Sequence, residues 1–407
     1  MKKMTILAAI ALVAGASCTK QIPMIVSNAD TPISFSPISQ RTTTKAGFFG
    51  EQNATYTGNG STYEKFTAFA AYTENNTTVP SENFFPAAGV ECEYNATGSY
   101  WAPTTSYYWP KAGYLTFHAF SPSALTPYAG TVANAWTTGI TITDFVASTN
   151  MDQQVDVLYS DFNFYQQRSA YTPANGMPYD DEDNSAFTHN GVNLIFRHAL
   201  SAAQFRVVTD QDYAPDAATA KHEFTVTRIE VLNANYKGEF HENRKGDATN
   251  DYANAAAGSI TFNKDNAVTA SPYWVPAADE TTYTVFSGST TVTTAKTFGD
   301  YGKMMLPMPQ ALAHSTNNVT VKITYNYKFT LNGTEHSYTD LKAQVSLAGA
   351  QAKQYNGTTD NYDVNYWLIN HKYLYTLVFK LDPIVFDPKV EAFVEVSDIT
   401  ADLPYQN

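Results

Sequence analysis

The eight histidines are the first residues whose spacing could build a metal or general-base site. They occupy positions 118, 189, 198, 222, 241, 314, 336 and 371. No two of them lie two to four residues apart, so the His-x-His and His-x-x-x-His ligand pairs are missing from the sequence. His241 and Glu242 begin like a zinc-peptidase motif, but the second histidine does not follow. We therefore predict no metal site and no cofactor.

Motifs of the common enzyme classes are also missing. The sequence has no Gly-x-Ser-x-Gly elbow, Walker loop, dinucleotide fingerprint or Cys-x-x-Cys pair. Triads and carboxylate pairs can assemble from distant positions, which leaves a hidden glycoside hydrolase as the enzymatic alternative. The leading prediction is a protein without catalytic residues.

The amino terminus has the pattern of an export signal. A basic start at residues 2–3 precedes an apolar run, residues 4–16, that is too short to span a bilayer. Two endings are open, because Ala14-Gly15-Ala16 fits a small-residue cleavage site and Ala16-Ser17-Cys18 resembles a lipobox. We favour the lipobox, which predicts a signal peptide at residues 1–17 and lipidation of Cys18.

Lipidation of Cys18 would leave Cys92 as the single thiol of the mature chain, so no intramolecular disulfide could form. Cys92 alternates with Glu91 and Glu93, as the inward face of a strand does. We predict a buried structural cysteine.

Composition favours an all-β protein. Only 15% of the 407 residues are charged, whereas Tyr (28) and Phe (24) are abundant, which is typical of twisted, half-buried sheets. Lys and Arg total 25 against 38 Asp and Glu, and the resulting net charge of −13 argues against nucleic acid as a partner.

Period-two alternation of apolar and polar residues recurs along the chain. It predicts strands at residues 65–72, 114–120, 223–231 and 319–327, and Asn332-Gly333 predicts a tight hairpin. Long amphipathic helices are not predicted, so the pattern favours antiparallel sandwiches. A polar stretch at residues 171–190, with an acidic run at 180–184, predicts a linker between a first domain, 42–187, and a second, 188–407.

Several segments recur in a characteristic order along the chain. They are Ile33-Ser34-Phe35-Ser36 with Lys45-Ala46, Tyr108-Trp109-Pro110, residues 115–122, residues 196–201, residues 306–310, and Trp367 with residues 373–378. Together they resemble the fimbrillin family of Bacteroidales, the subunits of the type V pilus. The resemblance implies two transthyretin-like β-sandwich domains in tandem, exported as a lipoprotein to the outer membrane and the cell-surface fimbrium. It implies a structural pilus subunit that supports adhesion, with other pilus subunits, the outer-membrane lipid and surface ligands of host or bacterium as partners.

In that family an arginine-specific protease removes the first strand, and the carboxy-terminal segment of a neighbour fills the groove. The resemblance places the propeptide at residues 18–41, with the removable strand at 33–38 and cleavage between Arg41 and Thr42. The alternative bond joins Lys45 and Ala46. Residues 389–399 carry the donor pattern, with an apolar face that consists of Val390, Ala392, Val394 and Val396. The same pattern also fits a last strand that pairs within its own domain.

Two other functions stay open. One is a monomeric glycan-binding surface lipoprotein tethered through Cys18, and the other is a pilus anchor subunit that keeps its lipid and its first strand. The aromatic cluster of Tyr100-Trp101 and residues 107–110 could bind sugars, but we favour core packing because it leads into the predicted strand at residues 114–120.

Overall fold

The computed structural model describes residues 32–39, 65–95, 100–125, 128–154, 156–167, 191–209, 220–242, 272–277, 279–292, 296–298, 305–331, 333–353, 361–369, 372–379, 385–389 and 399–402. These residues contain 26 strands and one 3-10 helix, Met151–Gln153. The predicted all-β class is confirmed.

The strands are named in chain order. The first eleven are β1 (Phe35–Ser39), β2 (Lys65–Thr73), β3 (Glu82–Asn83), β4 (Val90–Asn95), β5 (Tyr100–Pro103), β6 (Tyr114–Ser121), β7 (Ala129–Ala135), β8 (Gly139–Val146), β9 (Leu158–Ser160), β10 (Asn163–Gln166) and β11 (Val192–His198). The next eight are β12 (Ala202–Thr209), β13 (Ala220–Asn235), β14 (Lys237–His241), β15 (Tyr273–Pro276), β16 (Glu280–Val292), β17 (Lys296–Phe298), β18 (Gln310–Ala311) and β19 (Thr320–Leu331). The last seven are β20 (Thr334–Ser346), β21 (Ala350–Lys353), β22 (Asn361–Val364), β23 (Tyr366–Trp367), β24 (Lys372–Phe379), β25 (Val385–Lys389) and β26 (Ile399–Asp402).

The first sheet closes on itself. Its order is β10-β6-β9-β11-β1-β5-β4-β2-β3, and β6 also pairs with β2. The strands β2, β6, β9, β11, β1, β5 and β4 therefore form a continuous circuit of backbone pairing, which we call the ring. The ring encloses an apolar core to which β1, β2, β6 and β11 all contribute buried side chains.

A second layer packs on the outside of the ring. It is the four-stranded sheet β15-β14-β8-β7. Its buried aromatic residues, such as Phe145, Phe240 and Trp274, share a core with Phe69 of β2 and Phe120 of β6. The larger remaining core lies between the sheet β17-β12-β24-β25-β26-β21-β22 and the sheet β16-β13-β19-β20.

Period two predicted these strands because alternate side chains of a strand point to opposite faces. The four predicted segments fall in β2, β6, β13 and β19. The predicted hairpin at Asn332-Gly333 is confirmed, since Leu331 pairs with Thr334 and Gly333 has a φ of 78°. Cys92 is fully buried, as predicted, and burial raises the pKa of its thiol well above the ordinary value.

The division between residues 187 and 188 stays a prediction. Backbone pairing crosses that position, because β11 pairs with β1 and β9, and β14 pairs with β8. In the part of the chain that the structure describes, no helix has the length and hydropathy needed to span a bilayer.

Candidate assembly site at the first strand

The first strand links two other strands of the ring. β1 pairs in parallel with β11, from Phe35 opposite Val192 to Ser39 opposite Phe196, and it pairs antiparallel with β5 where Phe35 faces Trp101. Just before β1, the Ser34 carbonyl accepts a hydrogen bond of 2.8 Å from the Val192 N–H. In the described part of the chain, β1 is the strand that lies between β11 and β5 in the sheet.

The side chains on the inner face of this segment fill an apolar slot. Ile33 is 1% exposed and Phe35 is fully buried. The Phe35 ring packs edge to face against Phe66 and Phe117, with centroid distances of 5.9 and 5.5 Å. Such aromatic pairs contribute beyond the area they bury. Without β1, the ring would have both an apolar cavity and unpaired backbone groups on β11 and β5.

Gly191 lets the first strand lie close to β11. A Cβ atom at position 191 would lie 2.7 Å from the carbonyl carbon and oxygen of Ser34 and 2.8 Å from the Phe35 nitrogen. All three are backbone atoms, so no side-chain rotation can relieve the contact. Only glycine fits at this position while β1 occupies its present place.

We expect Gly191→Ala to lower the free energy of unfolding of the chain by about 1–3 kcal/mol, because the added methyl forces β1 away from β11. Denaturant titration of the unprocessed chain measures this loss. Gly349→Ala is the matched control for crowding, because a Cβ there meets no atom within 4 Å. Its left-handed φ of 76° adds some strain to that control. An unchanged stability for Gly191→Ala would contradict the close approach of β1.

The structure places the predicted site residues unevenly. The predicted removable strand, 33–38, coincides with the residues that enter and form β1. Cys18, the two candidate cleavage bonds (Arg41-Thr42 and Lys45-Ala46) and the apolar donor face lie outside the described residues. The strands that flank the predicted donor pair within their own chain, β25 with β24 and β26 with β21.

The aromatic cluster that the sequence singled out is mostly core. Trp101 and Trp109 are 5% and 6% exposed, and the Trp109 ring packs edge to face on Phe117 at 5.6 Å. The packing interpretation is therefore confirmed for both tryptophans. Tyr108, at 42% exposure, is the member of the cluster that faces solvent.

One buried polar pair joins the ring to the second layer. His118 of β6 and Glu242, which follows β14, are fully buried, with 3.7 Å between Nδ1 and Oε2. Glu242 Oε2 accepts a hydrogen bond of 2.7 Å from the Ile140 N–H. Aromatic rings surround the imidazole: Phe69, Trp136 and Phe162. Both side chains are shielded from solvent where the two layers meet, and neither imidazole nitrogen has a hydrogen-bond partner among the described residues.

The end of β11 is held by ion pairs and hydrogen bonds. Arg197 forms a bidentate pair with Asp161, at 2.7 Å from Nε and 2.6 Å from Nη2. His198 Nδ1 forms a hydrogen bond with the buried carboxylate of Asp156. Ser201 Oγ donates to the Leu368 carbonyl at 2.7 Å. These contacts fix the connection between β11 and β12, which we call the junction (residues 197–201).

No group of three His, Cys, Asp or Glu side chains among the described residues is arranged to hold a metal ion.

The architecture matches a known structure over nearly the whole chain. Superposition on a fimbrial protein from Bacteroides vulgatus gives a TM-score of 0.50 at 15% identity, and covers 89% of this chain and 99% of that one. The two proteins share a fold. The fimbrial anchor protein Mfa2 from Porphyromonas gingivalis aligns with a TM-score of 0.28 at 12% identity, over 90% of this chain and 99% of that one. The sequence matches no protein-family model and no curated protein.

Sequence reasoning missed an exposed aromatic surface at the end of the β19–β20 hairpin. The rings of Tyr327 and Phe329 on β19 stack with those of His336 and Tyr338 on β20, at centroid distances of 4.8–6.3 Å. His222 of β13 continues the row and forms a hydrogen bond of 2.6 Å with the Tyr327 hydroxyl. Period two on β19 was the available signal, since these rings continue the apolar face beyond the core.

Proposed function

We propose that this protein is a structural subunit of a cell-surface pilus that joins its neighbours by strand exchange. The observation that carries the proposal is the position of β1, which closes the ring between β11 and β5 and fills an apolar slot. Loss of this strand leaves unpaired backbone and an apolar cavity, and an extended segment of another subunit satisfies both.

Two further observations support the proposal. The fold is shared with a protein described as fimbrial. If the chain is divided between β11 and β12, each part also begins with a strand that pairs in parallel with a late strand of the same part, β1 with β11 and β12 with β24. This correspondence favours two related domains in tandem, as the transthyretin-like organisation requires.

The order of the elements supports a proposed maturation. We propose that the chain is exported, lipidated at Cys18 and brought to the outer membrane before cleavage after Arg41 or Lys45. Both bonds lie between the last residue of β1, Ser39, and the first residue of β2, Lys65. Either cut therefore separates β1 from the ring covalently. A carboxy-terminal segment of the next subunit then occupies the slot, and no catalytic step by this chain is required.

The test is intact mass and amino-terminal sequencing of the protein sheared from its own cells. The expected amino terminus is Thr42 or Ala46, in material that sediments as fibres. Fibres whose subunits begin at a lipid-bearing Cys18 would contradict strand removal. That result would favour an anchor subunit or a tethered surface protein.

A glycan-binding surface lipoprotein is the second candidate, and the aromatic surface on β19 and β20 favours it. Tyr338 is 49% exposed, and aromatic rings beside polar groups are typical of sugar-binding surfaces. Binding there would not require removal of β1. The amino-terminal analysis therefore separates the two candidates.

A further inference from the structure

The carboxy-terminal part of the chain carries a second copy of the sequence that fills the slot. Residues 32–37 read Pro-Ile-Ser-Phe-Ser-Pro, and residues 383–388 read Pro-Ile-Val-Phe-Asp-Pro. The pattern Pro-Ile-x-Phe-x-Pro occurs at these two places and nowhere else in the sequence. The second copy overlaps β25, Val385–Lys389.

The repeated positions are those through which the first copy contacts the ring. Pro32 forms a bridge with Tyr108, Ile33 and Phe35 are buried in the ring core, and Pro37 pairs with Leu194 of β11. The positions that differ between the copies are Ser34 and Ser36 of the first. Ser34 binds Val192 through its backbone carbonyl, which any residue can supply.

The second shared proline, Pro37 in the first copy and Pro388 in the second, is informative. Proline is rare inside paired strands because it lacks the N–H that a ladder requires. β1 accommodates Pro37 because β5 pairs with it only at Phe35, so that among the described residues Pro37 has a strand partner on the β11 side alone. A strand with proline two residues after phenylalanine fits this same pairing.

Two other segments have the Phe-x-Pro part of the pattern, Phe84-Phe85-Pro86 and Phe120-Ser121-Pro122. In place of isoleucine they have Glu82 and His118. Glu82 belongs to β3, which pairs with β2, and Phe120 belongs to β6, which pairs with β2 and β9 inside the ring. Both segments are therefore part of the acceptor. β25 instead lies in the second half of the chain, where it pairs with β24 and β26.

We propose that β25 of a second copy of this chain replaces β1 in the slot. Ile384, Phe386 and Pro388 then occupy the places of Ile33, Phe35 and Pro37. Because the pattern reads in the same direction in both copies, the incoming strand runs parallel to β11, as β1 does. This inference rests on the proposed strand exchange, and it places the inserted residues ahead of the valine-rich face at 390–396.

Disulfide trapping tests the register. Pro388 is expected opposite Leu194, and residues paired across neighbouring strands lie close enough for a disulfide. We would compare Leu194→Cys/Pro388→Cys with the control Leu194→Cys/Val394→Cys in the full chain. Each variant is cleaved with an arginine-specific protease to start assembly, and the products are analysed on non-reducing gels. The expected result is a ladder of cross-linked subunits for the first pair, at least tenfold stronger than for the control.

A second measurement does not require a cysteine substitution at the buried position 194. Phe386→Asp is expected to lower the sedimentable fibre fraction at least tenfold after cleavage, because a carboxylate cannot enter the Phe35 pocket. Val394→Asp should assemble like the natural chain. Thermal unfolding of each uncleaved variant shows whether its own fold is intact.

The outcomes separate the two proposals. If the natural chain loses β1 and forms no fibres, the proposed function is wrong and this inference falls with it. If the natural chain forms fibres, but cross-links appear through Val394 and Phe386→Asp assembles normally, then the register proposed here is wrong and strand exchange stands.

Discussion

Replacement of Phe35 by alanine is expected to lower the free energy of unfolding of the unprocessed chain by about 3–5 kcal/mol. The Phe35 side chain is fully buried and packs edge to face on the aromatic side chains of Phe66 and Phe117. Removal of the Phe35 side chain leaves a cavity. The strands around this cavity are paired in a closed circuit, so they cannot move inward freely to fill it. Denaturant titration, monitored by tryptophan fluorescence, measures the loss of stability, because Trp101 lies in the same core.

The control for this prediction is Tyr338→Ala. Tyr338 is 49% exposed, so its loss should change stability by no more than about 0.5 kcal/mol. An equal and small effect of both substitutions would mean that β1 contributes little to the ring. The slot would then be a poor acceptor for any strand.

The second large effect is expected at the junction. Asp161→Ala should lower the free energy of unfolding by about 3–5 kcal/mol. The substitution removes the Asp161 carboxylate that pairs with the Arg197 guanidinium, while the Arg197 side chain stays in a site where it is only 11% exposed. The bidentate geometry makes Asp161 the natural counter-charge for this group. The same denaturant titration measures the change.

An exposed ion pair provides the comparison. Lys328 and Glu335 lie 3.1 Å apart with side-chain exposures of 43% and 58%, so Glu335→Ala should cost no more than about 1 kcal/mol. The double variant Asp161→Leu/Arg197→Met should recover most of the stability lost by Asp161→Ala, since it removes both charges. If Asp161→Ala and Glu335→Ala behave alike, the junction is not held by a buried charge pair.

Features encoded over a few neighbouring residues could be predicted from the sequence. The strands β2, β6, β13 and β19 follow from alternation, and the hairpin after Leu331 follows from Asn-Gly chemistry. Burial of Cys92 follows from its glutamate neighbours. In each case the physical cause, side-chain alternation or a turn that requires positive φ, lies within the segment itself.

Features that depend on distant pairing could not be predicted. β1 pairs with β11, more than 150 residues later, and nothing near Gly191 indicates that Ser34 will lie against it. In the sequence, Glu242 stands out only because it follows His241. In the fold, the buried side chain near it is that of His118. Such contacts are set by the closure of sheets and by which layers stack together.

The parallel pairing of β1 with β11 has a mechanical consequence. The two strands pair over five consecutive positions, so tension applied along them is shared by all the hydrogen bonds at once and loads them in shear. A neighbour's strand in the place of β1 would pull on β11 in this way. From β11 the chain reaches β12 through residues 199–201, and β12 pairs in parallel with β24 over eight positions. Force on a fibre would thus pass along paired strands through each subunit.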